Sequence, residues 1–304
     1  MAQVLRRSLG VFDAVVIGLG SMVGAGVFAA FGPAAAAAGS GLLFGLALAG
    51  GVAYCNAWAG ARRAARHPAS GGTYVYGRER LGPFWGYLAG WAFVVGKTAS
   101  CAAMALTVGA YVWPGRAHAV AVAAVVVLTA LNYGGVRKSA LVTRVIVGVV
   151  LAVLAAAVVS SHGAGAAEAG RLEPGGDVSP GGVLQAAGLL FFAFAGYARI
   201  ATLGEEVKDP ERTIPRAIPL ALGIVLVVYA CVAVSVLSVL GVEGLGGSAA
   251  PVADALRAGD AGWMVPVVRV GAPASAGAGP VVVGLGLSDY ETGGEVVGGF
   301  VEEE

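Results

Sequence analysis

From Ala14 to Ala61 the chain contains no Asp, Glu, Lys, Arg or His. A helix that crosses a bilayer needs about 20 mostly apolar residues, so this run is too long for one crossing. Gly32-Pro33 and Gly39-Ser40-Gly41 divide it into two helices, near 11–35 and 42–64. Further apolar runs predict helices over 82–112, 117–134, 141–161, 183–204 and 217–241, which makes seven. Lys97 is the one charge in the third run and Arg199 the one charge in the sixth. This is the pattern of an all-α polytopic membrane protein. Residues 1–242 form its membrane domain.

Beyond Val242 the pattern changes. The longest uncharged stretch, Val270 to Ser288, contains Pro273, Pro280 and five glycines, and it does not read as a span. The chain ends Glu302-Glu303-Glu304. Residues 243–304 are expected to be a tail unlike the membrane domain, with a shifted reading frame after about 270 as one explanation.

Composition supports the membrane reading. Hydrophobic residues make up 58% and charged residues 12%, against about 25% charge in a soluble domain. A disordered, fibrous or ordinary cytosolic protein is excluded. Glycine is 50 of 304 residues, more than twice its usual share of about 7%, which suits closely packed membrane helices. The net charge of +1 implies no nucleic acid partner. Cys55, Cys101 and Cys231 are far apart in apolar runs and read as small packing residues.

The cations set the orientation. With the N-terminus in the cytoplasm, the inner segments hold Arg6, Arg7, Arg62, Arg63, Arg66, Arg78, Arg80, Arg137, Lys138, Arg144, Lys208, Arg212 and Arg216. The outer segments and tail hold only Arg116, Arg171, Arg257 and Arg269. The positive-inside rule therefore places the N-terminus in the cytoplasm of a cell whose cytoplasmic membrane the chain crosses several times. The first apolar run exceeds a signal-peptide core of about 7–15 residues, so it is expected to stay as the first helix.

Two segments carry candidate chemistry. The first helix contains Gly18-Leu19-Gly20-Ser21-Met22-Val23-Gly24-Ala25-Gly26. Each glycine weakens a helix by about 1 kcal/mol relative to alanine. An unwound backbone inside a bilayer survives only against protein or a wet cavity, and its freed N–H groups can hold a carboxylate. The alternative is a small-residue packing face, since Gly20 and Gly24 are four apart. The sixth helix contains Phe191-Phe192-Ala193-Phe194-Ala195-Gly196-Tyr197-Ala198-Arg199. Arg199 is either a functional intramembrane charge or one that pairs internally and snorkels to the helix end. Broken first and sixth helices together point to a transporter with inverted repeats.

Lys97, near the middle of its run, needs a partner or water and could exchange a proton; a structural hydrogen bond is the alternative. Asp13 and His118 lie near helix ends. The segment Glu205 to Arg216, with mixed charges and two prolines, reads as a solvated loop whose ion pairs could hold a gate. There is no P-loop and no Gly-x-Ser-x-Gly. His67, His118 and His162 lie in separate regions. No enzyme, cofactor or metal site is expected.

Three stretches resemble the amino acid permeases of the amino acid–polyamine–organocation superfamily. GLGSMVGAGVFAAFGP resembles that family's first-helix signature. ARHPASGGTYVYGRERLGPFWGYLAGW resembles its second-to-third-helix signature and is the most specific match. FFAFAGYARIATLGEEVKDPERTIPRAIP resembles its sixth-helix signature. The resemblance covers about 8–270. It implies a five-plus-five inverted repeat, with the second repeat incomplete here, and with helices one and six discontinuous. A substrate carboxylate would then meet backbone amides around Met22, Val23, Gly24, Ala25 and Gly26. Its ammonium would meet carbonyls around Phe192, Ala193 and Ala195, with Phe192 as an aromatic gate. Apart from the resemblance, Lys97, as the only charge in its run, and Tyr197 and Arg199 near the sixth-helix break are candidates for coupling or gating.

Where some proton-coupled members carry a lysine in the fifth helix, this chain has Val150. Where some arginine exchangers carry an acid after the sixth-helix break, it has Ala198. The resemblance thus implies a secondary transporter of amino acids, proton-coupled or an exchanger, with a neutral substrate favoured and cationic amino acids or polyamines as the alternative. A non-transporting truncated membrane protein, or a sensor or partner that binds an amino acid without moving it, is the competing reading.

Overall fold

The computed structural model describes residues 9–66, 72–133, 140–162, 166–201, 203 and 206–274. Arg6, Arg7, His67, Arg137, Lys138, Glu205 and residues 275–304 lie outside them. The first apolar run folds as α1 (Val11–Met22), α2 (Ala25–Ala29) and α3 (Phe31–Ala38), and a 3-10 turn over Gly39–Gly41 leads into α4 (Leu42–Arg66). Then come α5 (Gly72–Leu81), α6 (Pro83–Val112), α7 (Ala117–Tyr133), α8 (Ala140–His162), α9 (Pro180–Phe194), α10 (Ala198–Ala201), α11 (Pro210–Gly246) and α12 (Pro251–Ala258). A last helical stretch covers 265–274.

Six helical stretches are long and apolar enough to cross a bilayer: Val11–Ala29, Phe31–Arg62, Pro83–Val112, Thr143–His162, Pro180–Ala201 and Pro210–Gly246. A shorter apolar one is Pro114–Ala130. They overlap the apolar runs read from the sequence, because a bilayer demands both apolar side chains and a backbone whose hydrogen bonds close on themselves.

Two boundaries differ from the prediction. The first helix breaks at Val23-Gly24, before Gly32-Pro33, and the chain then stays helical as far as Ala38. Helix seven starts at Pro210, so much of the expected loop 205–216 is its first two turns. Pro210 sits where a helix has no donor to lose, and the Thr213 hydroxyl donates to Lys208 O at 2.6 Å.

The cysteines also depart from expectation. Cys55 and Cys231 are exposed on the outside of the bundle and only Cys101 is partly covered. On a lipid-facing surface a small apolar thiol needs no packed neighbour, so an apolar run alone does not locate it.

The core lies where α1, α4, α9 and α11 meet. Met22, Phe28, Phe31, Phe194 and Tyr229 are its large fully buried side chains. Helices α5, α6 and α7 pack mainly on one another. Tyr111 of α6 ties them to the rest. Its buried hydroxyl donates to Phe28 O at 2.8 Å and accepts from Val252 N at 3.3 Å.

Both ends of the bundle are strapped. At the N-terminal end a parallel β-bridge joins Leu9 to Val207, through Leu9 N–H to Glu206 O at 3.1 Å and Lys208 N–H to Leu9 O at 2.9 Å. Asp13 of α1 is ion-paired with Arg144 of α8. At the opposite end the Asp177 carboxylate accepts from the Ser40 N–H and the Ser40 hydroxyl, both at 2.8 Å. Gly39 beside it has φ +58°, and a Cβ there would lie 1.9 Å from Asp177 Oδ2, so glycine is required on both counts.

The Ser40 donors hold the Asp177 carboxyl below its ordinary value of 3.8. A group with a depressed folded pKa stabilises the fold above its unfolded pKa, and that contribution is lost as pH falls through the lowered value. The expected result is a Ser40 amide protected from hydrogen exchange until the pH is well below 3.8. Asp177→Ala should remove that protection at neutral pH. A Ser40 amide that exchanges equally in both proteins would show that the strap is not formed.

Candidate functional site at the paired helix breaks

The glycine-rich segment of the first helix does unwind. Val23 has φ −78° and ψ 72°, the geometry of an inverse γ-turn. Gly24 N–H closes that turn on Met22 O at 2.9 Å. Helix resumes at Ala25, and Ala30, with φ −71° and ψ −22°, carries it into α3. Met22 and Val23 are buried.

The second break is milder. After Phe194 the chain tightens to one 3-10 turn over Ala195–Tyr197 and continues as α10. Gly196 is central to it. A Cβ on Gly196 would lie 2.4 Å from Ser21 O and 2.7 Å from Met22 N, so the two broken helices touch backbone to backbone there. Ser21 Oγ donates to Gly196 O at 2.8 Å across this contact.

Two further glycines set the register. A Cβ on Gly18 would meet Ile200 Cδ1 at 2.3 Å, and one on Gly26 would meet the Ala193 Cβ at 2.4 Å. The residue facing the first helix therefore moves back along the sixth as the first advances, which makes the two antiparallel. The packing-face reading and the unwinding reading both apply, but the close approach uses Gly18 and Gly26. A Cβ on Gly20 would face Val147 instead.

Sequence reasoning missed the residue that joins the breaks. The Tyr229 hydroxyl of α11 lies 2.6 Å from Met22 O and 3.2 Å from Ala193 O. Its ring is fully buried between Phe31 and Phe194, with centroids 6.2 and 5.1 Å away. A phenol has one proton, so the two carbonyls share a single donor. One signal was available: Tyr229 is the only aromatic residue between Ala217 and Val242.

The other predicted residues separate into those at the breaks and those away from them. Met22, Val23, Gly24, Gly26, Ala193 and Ala195 line the junction, and Ala25 begins the resumed helix. Phe192 is 45% exposed, whereas Phe194 is fully buried against Tyr229. Tyr197 is half-buried and hydrogen-bonds with the Asn56 side chain of α4.

Arg199 lies below the break, its side chain 11% exposed, and approaches Glu206 at 3.8 Å. It links α10 to the strapped N-terminal end. Lys97 lies over the Phe93 ring, 5.6 Å from its centroid. Val150, at the position considered for a coupling lysine, is a core residue 2% exposed. Asp13, expected near a helix end, has its own role. It accepts from Gly10 N–H at 3.2 Å and pairs with Arg144, whose Nε lies 3.0 Å away.

The two broken helices touch at their breaks inside an apolar bundle, where Met22 O accepts from Gly24 N–H at 2.9 Å and from the Tyr229 hydroxyl at 2.6 Å. Residues 9–282 match the sequence profile of the amino acid permeases. The chain belongs to the amino acid permease family.

It is 68% identical over 284 residues to an uncharacterised transporter of Mycobacterium tuberculosis, covering 93% of this chain and 64% of that protein. It is 26% identical to the branched-chain amino acid permease BcaP of Bacillus subtilis, covering 88% of this chain and 62% of that one. It is also 26% identical to the chloroplastic cationic amino acid transporter 7 of Arabidopsis thaliana, covering 94% and 54%. The chain thus spans between 54% and 64% of the length of these relatives.

Proposed function

We propose that this permease is a secondary active transporter that moves a neutral amino acid by alternating access, with its N-terminus in the cytoplasm. The observation that carries the reading is the backbone contact between the breaks at Val23-Gly24 and Gly196. The substrate carboxylate binds the N–H groups of Ala25 and Gly26, where a helix begins again and its dipole favours negative charge, since Val23 and Gly24 N–H already donate to Leu19 O and Met22 O. The ammonium binds Met22 O together with carbonyls of Phe192, Ala193 and Ala195. Ala198 after the second break leaves no carboxylate for a cationic side chain, which favours a neutral substrate, and one similar protein is named for branched-chain amino acids.

Opening to the cytoplasm requires the N-terminal end to release its β-bridge and the Asp13–Arg144 pair. Opening to the other side requires the Ser40–Asp177 strap to part. The two sets of contacts lie at opposite ends of the same broken helix, as alternating access needs.

The test is uptake of radiolabelled leucine, alanine and arginine by proteoliposomes. Accumulation of a neutral amino acid that excess arginine does not inhibit is the expected result. Binding without accumulation overturns transport by this chain, and inhibition by arginine or a polyamine alone overturns the neutral substrate.

For coupling we propose the proton, exchanged at Lys97. This lysine is the only charge in its span. Lys97→Ala is expected to abolish the stimulation of uptake by an inward proton gradient while leaving counterflow exchange. Uptake that responds to the gradient as in the wild type sinks the assignment.

A further inference from the structure

One face of α4 carries an ordered strip that the transport reading does not use. Tyr54, Trp58 and Arg62 follow at intervals of four residues, so they stack along one side of the helix. The Tyr54 and Trp58 rings are nearly parallel, with centroids 6.3 Å apart and planes 18° apart. The Arg62 guanidinium sits 5.0 Å over the Trp58 ring. All three are exposed, Tyr54 at 48% and Trp58 at 39%. At 1.5 Å per residue the strip is about 12 Å long, enough to run from acyl-chain depth to the headgroup layer.

The charge around its upper end is one-sided. Residues 62–80 contain Arg62, Arg63, Arg66, Arg78 and Arg80 against the single acid Glu79. Glu79 is also the only acidic residue between Asp13 and Glu168. Arg78 and Arg80 are exposed in α5, which packs on the start of α6 at the same end of the bundle. There Phe84, Trp85 and Trp91 are exposed as well. Aromatic rings at this depth mark the membrane–water interface. A cluster of arginines directly beside a span attracts anionic lipid.

We propose that the end of α4, with α5, binds the headgroup of an anionic phospholipid. The phosphate is held by Arg62, which the Trp58 face orients, and by the α5 arginines, and an acyl chain runs down past Trp58 and Tyr54. Charge complementarity selects this occupant: Arg62, Arg78 and Arg80, exposed with the single acid Glu79, call for a multivalent source of negative charge, and an anionic leaflet supplies it. The chain carries its own comparison at the opposite end of the bundle. Arg116 lies 5.4 Å over Trp113 in the same type of contact, but no other cation lies between Lys97 and Arg137.

The experiment is native mass spectrometry of the full chain, purified in detergent and offered equal amounts of phosphatidylglycerol and phosphatidylcholine. The wild type is expected to retain phosphatidylglycerol preferentially. Arg62→Gln and Arg78→Gln should each reduce that preference about fivefold, since a juxtamembrane cation contributes on the order of that factor. Raised salt should reduce it as well. Arg116→Gln should leave it unchanged, and circular dichroism checks that each variant is folded. Equal retention of the two lipids by the wild type overturns the proposal. So does an undiminished preference in the folded Arg62→Gln, Arg78→Gln double variant, or a dimer that buries this face and retains neither lipid selectively.

Discussion

On the proposed transport function, Gly196→Val is expected to abolish amino acid uptake and Gly196→Ala to lower it at least about tenfold. The reason is geometric. A Cβ at this position would sit 2.4 Å from Ser21 O, 2.5 Å from Ser21 C and 2.7 Å from Met22 N. All three are backbone atoms and cannot rotate away, so the two broken helices must separate by about 1 Å to reach ordinary contact. Overpacking of this kind costs roughly 1–3 kcal/mol, and each 1.4 kcal/mol is about tenfold in an equilibrium constant. The separation also moves Met22 and the Ser21–Gly196 hydrogen bond, so the carboxylate and ammonium sites shift relative to each other. The measurement is the initial rate of uptake in proteoliposomes, with monodispersity checked for each variant. Gly51→Ala is the control, since a Cβ there has no atom within 4 Å. Wild-type uptake by Gly196→Ala would mean that the breaks do not need to touch.

Tyr229→Phe separates binding from turnover. The ring is kept, so packing against Phe31 and Phe194 survives. What is lost is the hydroxyl shared by Met22 O and Ala193 O. In the empty protein the hydroxyl occupies the Met22 carbonyl that the substrate ammonium is proposed to take. An ammonium brings three donors to acceptors that the phenol serves with one. Removing the phenol takes away a competitor and leaves Met22 O with its Gly24 N–H partner alone, at a net cost of about 1 kcal/mol. The amino acid then binds more tightly, by a factor of about five or more, while turnover falls because the empty carrier no longer closes on itself. Equilibrium binding and the initial uptake rate, measured on the same preparation, read the two effects. Weaker binding by Tyr229→Phe would show that the hydroxyl touches the substrate.

The two variants test different parts of one arrangement. Gly196 sets the distance between the breaks, and Tyr229 satisfies their carbonyls when nothing is bound. A loss of uptake in both with opposite effects on affinity is the signature expected of a carrier whose empty site is sealed by its own side chain.

What the amino-acid sequence determined by itself was the membrane architecture. The apolar runs became helices, six of them, among the described residues, long and apolar enough to cross a bilayer, since a bilayer allows little else. The cluster from Gly18 to Gly26 announced a weak point in the first helix, because glycine removes side-chain packing and adds backbone freedom. It did not say where the helix would part. The break came at Val23-Gly24, while Gly18 and Gly26 instead let α9 and α10 approach. That division depends on which glycines face the sixth helix, and only the packing decides it.

The same holds for Tyr229, Asp13 and Asp177. Each is a single polar residue with no periodic partner nearby, and its partner lies 36 to 207 residues away in the chain. A local pattern carries no information about such a partner. The tertiary structure supplies it by bringing three helices to one point, where a lone hydroxyl must either find an acceptor or remain unpaired in a low-dielectric core.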